Sequence, residues 1–103
     1  MATSKEYCEY IVENLSRAGN ITVRKMMGEY CVYFNGVLVG DICDNQLFLK
    51  ITATSEKLLS ECEKAYPYSG SKTLMLVVDD VSDTLLMTAV LNGIYNETNK
   101  RRN

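Results

Sequence analysis

The sequence contains no histidine, no tryptophan and a single proline. The missing histidines remove the side chain that most often acts as general base near neutral pH. They also remove a principal zinc ligand. The four cysteines, Cys8, Cys31, Cys43 and Cys62, include no C-x-x-C pair. In that scatter they read as reduced core or near-core thiols of a cytosolic protein, with no metal and no other cofactor expected. No apolar run approaches the ~20 residues that cross a bilayer. The opening segment, residues 1–6, lacks the charged-then-apolar layout of a secretion signal. A cytoplasmic location without membrane association is the expectation. Positive charge is not in excess either, since 11 Lys and Arg face 13 Asp and Glu, a net −2. Nucleic-acid binding draws most of its affinity from cations on phosphates, so strong binding of that kind is not expected. No phosphate-cradling loop is present, because Gly36 and Gly40 fall on a hairpin rather than between a strand and a helix. Nothing here assembles a catalytic apparatus, and the chain reads as a non-enzyme.

What is present is a globular mixture: 103 residues, 47% hydrophobic and 23% charged. A chain this long buries roughly two thirds of its unfolded surface and needs no staple to hold a core. One domain over residues 1–103 is expected, with a frayed tail from about residue 96. Thr3 with Glu6 reads as a capping box opening a helix from Ser4 to Ala18, closed by Gly19 in a left-handed conformation. Its apolar face is Tyr7, Cys8, Ile11, Leu15 and Ala18. The period then shortens to that of strands: Ile21–Met26, Tyr30–Phe34, Val37–Ile42 and Gln46–Ile51. Asn35-Gly36 between apolar runs is a hairpin signal, and Asp44-Asn45 supplies another turn. Loops this short can join only antiparallel neighbours. A second helix is predicted from a cap at Thr54 or Ser55 to Ala65, stopped by Pro67. A strand over Thr73–Val78 and a last helix with the stripe Leu85, Leu86, Ala89, Val90 and Ile94 complete the order α-β-β-β-β-α-β-α. Bunched strands flanked by helices indicate an α+β fold, an antiparallel sheet of about five strands with helices packed mainly on one face.

Two clusters carry polar chemistry. Asp79, Asp80 and Asp83 crowd the start of the last helix, where carboxylates cap the chain and complement the helix dipole. A divalent-cation site is the other reading, but the spacing of a calcium loop is absent. The stretch Arg24-Lys25-Met26-Met27-Gly28-Glu29-Tyr30 combines cations, thioethers, a glycine and a tyrosine. One reading is a strand edge bending at Gly28, with Met26 or Met27 plugging the core. The other is a binding surface, because Met adapts to varied partners and Arg and Tyr are enriched at hot spots.

The same residues carry a resemblance. Arg24-Lys25-Met26-Met27-Gly28, then Tyr30 and Tyr33, then Asn35-Gly36, resembles the signature of the TfoX/Sxy N-terminal domain family. Gln46–Lys50 and the segment Leu74–Asp80 before a closing helix fit as well, so the likeness spans most of the chain. It implies a compact α+β domain with an antiparallel sheet and no enzymatic activity. It further implies regulation of natural competence alongside a transcriptional activator. Longer members carry a second, helical domain that this sequence is too short to hold, which reads as a small stand-alone version. The position after Met26 is often aromatic in the family and is Met27 here. The resulting expectation is a regulatory protein-interaction module with a protein partner. Its candidate surface is Arg24, Lys25, Met26, Tyr30, Tyr33 and Lys50, set by turns at Gly28, Asn35 and Gly36. A homodimer stays open. A DNA-binding transcriptional regulator and a small-molecule-binding domain or enzyme are the alternatives.

Overall fold

In a computed structural model of the chain, residues 2–102 are described, with side chains through Thr98. Helix α1 (Lys5–Leu15) is capped by Ser4, whose Oγ accepts the Tyr7 N–H at 3.1 Å. The expected cap, Thr3, is instead buried and ties residues 2–4 to two turns. Its N–H donates to the Gly28 carbonyl at 3.2 Å, and its hydroxyl donates to Glu29 Oε1. Cys8, Ile11 and Leu15 form the buried face of α1. The helix stops four residues short of Gly19, and Gly19 is not left-handed. A Cβ there would stand 2.6 Å from Phe34 Cε1, so the position is small because a buried ring lies over it.

Strands β1 (Ile21–Met26), β2 (Glu29–Phe34), β3 (Val37–Cys43) and β4 (Gln46–Lys50) form a meander joined by three two-residue turns. All three turns are left-handed at both central residues: Met27-Gly28 at φ 53° and 86°, Asn35-Gly36 at 50° and 85°, Asp44-Asn45 at 52° and 56°. This handedness matches the right-handed twist of the paired strands, which is why tight hairpins select it. The register shifts between Val32↔Gly40 and Tyr33↔Leu38, leaving Val39 as an extra residue in β3. Such a bulge bends its strand and increases the local twist.

Helix α2 (Ala53–Leu58) is shorter than expected and starts elsewhere. Thr52 caps it in a reciprocal capping box with Ser55. The chain leaves the helix after Leu58 and forms β5 (Lys64–Ala65), a two-residue strand where the sequence predicts helix. The physical reason is the sheet edge beside it. Glu63 offers its carbonyl to the Val77 N–H at 2.8 Å, and Ala65 pairs with Met75. Strand β6 (Met75–Val78) is shorter than predicted and fully buried. The sheet is thus six-stranded and wholly antiparallel, ordered β1-β2-β3-β4-β6-β5.

Helix α3 (Thr84–Arg102) is capped by Asp83, whose Oδ1 accepts the Leu86 N–H at 3.1 Å. Asp80 turns onto Ser82, accepting its N–H and hydroxyl. The capping reading of this carboxylate cluster therefore describes Asp83. The predicted stripe is out of phase at two positions. Leu85 is 85% exposed and Ala89 is exposed, whereas Met87, Val90, Leu91 and Ile94 are buried. Residues 85 and 89 lie one turn apart on the outer face once the helix is phased by its core contacts. The backbone from residue 96 to Arg102 is helical where a frayed tail was expected; Asn103 and the side chains of 99–102 lie outside the described residues.

The main core lies between one sheet face and the helices. It joins Ile11 and Leu15 of α1, Val32, Phe34, Val39 and Leu49 of the sheet, and Met87 to Ile94 of α3. Phe34 meets Tyr95 edge-on, with centroids 6.2 Å apart. Glu97 locks α2 to α3 by accepting from the Thr54 N–H and hydroxyl, and Gly93 leaves room for Thr54 to approach. The opposite sheet face holds a smaller buried cluster, Cys43, Phe48, Met75 and Val77 with Ala65. That second face positions the candidate site.

Candidate interaction face

Side chains alternate across a strand, so register decides which residues meet. Arg24 pairs with Cys31, Cys31 with Asp41, Asp41 with Phe48, and Phe48 with Val77. These five form one row across the face that, among the described residues, carries no helix. Met26 and Cys43 flank the row on one side. Tyr33 and Lys50 flank it on the other, Tyr33 paired with Leu38 and Lys50 with Met75.

The expected surface therefore divides. Arg24, Met26, Tyr33 and Lys50 share the open face. Lys25 and Tyr30 pair with each other on the opposite face, where Tyr30 packs against the main core. The expected surface that groups Tyr30 with Arg24 is divided by this parity, and Tyr30 reaches the open side only where it borders the larger cleft. Gly28, Asn35 and Gly36 do lie at left-handed turn positions. Neither methionine plugs the core: Met26 is 52% exposed and Met27, at the hairpin tip, is 97% exposed.

Three clefts indent the open face; one, about 330 Å³, lies among Thr22, Arg24, Tyr33 and Gly36, and the other two overlap. The larger, about 550 Å³, lies among Met26, Met27, Cys31, Asp41, Cys43 and Tyr68. The smaller, about 280 Å³, shares Met26, Cys31, Asp41 and Tyr68 and reaches Lys50 and Met75. Tyr68, Ser71 and Thr73 come from the connection between β5 and β6, which borders both.

Asp41 is the polar centre. Burial pushes its carboxyl above the usual range, against hydrogen bonding from the Cys31 thiol and the nearby Lys50 charge. Burial, then the Asp41 carboxylate, raises the Cys31 thiol in turn. The Cys43 thiol is pushed up to about 12, by burial first and then by Asp41, Glu29 and other neighbours. A nucleophilic cysteine needs its thiolate stabilised, and these surroundings favour the thiol. The Cys8 and Cys62 thiols are also raised by burial. Among the described residues, no group of three or more Cys, Asp or Glu is arranged to hold a metal ion. No helix among them is long and apolar enough to cross a membrane.

Cys31, Asp41 and Tyr68 belong to the site without being legible as site residues in the sequence pattern. Asp41 carries a signal, being the one charged residue in the apolar run Val37–Cys43. Tyr68 carries none beyond its place after a proline.

Comparison with known proteins fits this geometry. The sequence model of the TfoX N-terminal domain matches residues 13–87, which contain every strand, the open face and its clefts. A relative from Spirochaeta aurantia, described as an uncharacterized 12.7 kDa protein in the trpE 5′ region, is 35% identical over 81 residues. That alignment covers 79% of this chain and 70% of the relative. The chain belongs to the TfoX N-terminal domain family.

Proposed function

We propose that this domain is a non-enzymatic regulatory module that docks a protein partner on the open face of its sheet. The observation that carries the reading is the division of the sheet's two faces. One is packed by α1 and α3, while the other carries Arg24, Met26, Tyr33 and Lys50 along clefts that no helix among the described residues covers. Arg and Tyr supply hot-spot contacts, and Met conforms to varied shapes. The raised thiols argue against nucleophilic chemistry at the same place. Family membership supports a role of the kind held by competence regulators, which act alongside a transcriptional activator.

Site-specific photo-crosslinking in the native cell tests the reading. A photoreactive residue replaces Tyr33 on the open face or Tyr10, 45% exposed on α1. The reading expects one protein to be captured repeatedly from position 33 and not from position 10. Capture from position 10 alone, or equal capture from both, contradicts it.

A further inference from the structure

The docking reading leaves open what kind of segment the face accepts, and the inference here rests on that reading. The two overlapping clefts share four residues and form one trough. Its lining runs from β1 to β6, five adjacent strands of the sheet. At ~4.8 Å per strand this is about 19 Å, and an extended chain rising ~3.3 Å per residue covers it with about six residues. One end is apolar and open, with Met26 at 52%, Met27 at 97% and Tyr68 at 56% exposure. Large apolar side chains exposed together mark an interaction surface.

Charge selects among partners. The net −2 of the whole chain hides a different balance on this face. Arg24 stands in the row with Cys31 and Asp41, and Lys50 lies close enough to act on the Asp41 carboxyl. Two cations thus flank one carboxylate whose ionised form burial disfavours. The other carboxylate at the rim, Glu29, is turned to the N-terminal segment. Its Oε1 accepts the Thr3 N–H, the Thr3 hydroxyl and the Asp44 N–H. The trough therefore presents an apolar seat between Met26 and Tyr68, and Arg24, two residues along β1 from Met26, lines the neighbouring cleft with Thr22 and Tyr33.

We propose that the trough binds an extended, acidic segment of a partner protein about six residues long. A large apolar side chain sits between Met26 and Tyr68, and an Asp or Glu one or two residues away pairs with Arg24. Apolar burial supplies affinity and the ion pair supplies selection.

A display library of random heptapeptides, selected against the full chain in about 0.15 M salt, tests this. The selected peptides should carry Asp or Glu within two positions of an aromatic or large aliphatic residue. They should slow alkylation of Cys31 by iodoacetamide, read by peptide mass mapping. Arg24→Glu, or the milder Arg24→Gln, should weaken them about tenfold or more while the melting curve stays that of the parent. Basic or uncharged selected sequences, insensitivity to both Arg24 variants, or no selection at all would overturn the proposal. Peptides that protect Cys31 without acidic preference would refute the charge assignment and leave the docking face standing. Peptides that bind without protecting Cys31 would remove both. A dimer in solution that Arg24→Glu dissociates would assign the trough to a second copy of this chain and likewise overturn the proposal.

Discussion

Replacing Gly28 by valine tests whether the β1–β2 hairpin depends on its turn. Gly28 has φ 86°, where an L side chain is strained, and a β-branched residue most of all. The dihedral penalty alone is about 1–3 kcal/mol. A second contribution is steric. A Cβ at Gly28 would lie 3.2 Å from the Ala2 Cβ, and the neighbouring Thr3 N–H is bonded to the Gly28 carbonyl. The N-terminal segment cannot yield without loosening that bond, so Gly28→Val should cost about 2–3 kcal/mol in all. For a domain of this size that lowers the melting temperature by about 8–20 °C. Gly28→Asn, which tolerates left-handed backbone, should lose much less. Ala2→Gly combined with Gly28→Val should recover only the steric part. Thermal unfolding followed by circular dichroism reads all four chains. If Gly28→Val melts with the parent, or if the asparagine variant falls as far, the backbone argument is wrong.

Three further outcomes are expected. Burial raises the Asp41 pKa above its unfolded value, so its stabilising contribution is full below the unfolded pKa and is lost as pH rises through the folded one. The parent should therefore lose stability relative to Asp41→Asn as pH rises above about 4, and a constant difference in melting temperature would refute this. Iodoacetamide near pH 8 should modify half-buried Cys31 and Cys62 well before buried Cys8 and Cys43, with Cys43 slowest because its thiol is pushed up to about 12. Fast Cys43 alkylation in the folded chain would contradict that placement. DNA affinity should be negligible at about 150 mM salt, since 11 cations face 13 carboxylates. Sequence-selective binding below micromolar concentration would overturn it.

Much of the sheet is legible in the sequence because its turns are local. Asn35-Gly36 and Asp44-Asn45 announce hairpins through residues that tolerate left-handed backbone, and the structure has both. The Met27-Gly28 turn is half legible, since only Gly28 declares itself and Met27 is carried into the same conformation by the hairpin. Strand parity alone separates Arg24 from Lys25, because adjacent strand residues point to opposite faces. The features that escape the sequence are set by distant partners. Lys64-Ala65 becomes a strand because β6 offers an edge to pair with, and nothing local distinguishes it from the end of α2. Thr3 rather than Ser4 looks like the cap, but Thr3 is claimed by Glu29, 26 residues away. Leu85 reads as core in the sequence until α3 is phased by Met87, Val90, Leu91 and Ile94. The open face is legible as a set of residue types but not as a shape. Its overlapping clefts need the connection between β5 and β6, which brings Tyr68 over strands distant in sequence.

Arg24 and Lys25 offer a direct test of the open-face account, because they are sequence neighbours of like charge on opposite faces. Both side chains are exposed, so neither reversal should cost more than about 0.5 kcal/mol of stability. Each of Arg24→Glu and Lys25→Glu changes the net charge by the same amount. Affinity for the partner captured by crosslinking at position 33 is measured for the parent and both variants by surface plasmon resonance. The account predicts about a tenfold or larger loss for Arg24→Glu and less than about a twofold change for Lys25→Glu. Equal losses in the two variants, or a loss confined to Lys25→Glu, would contradict it.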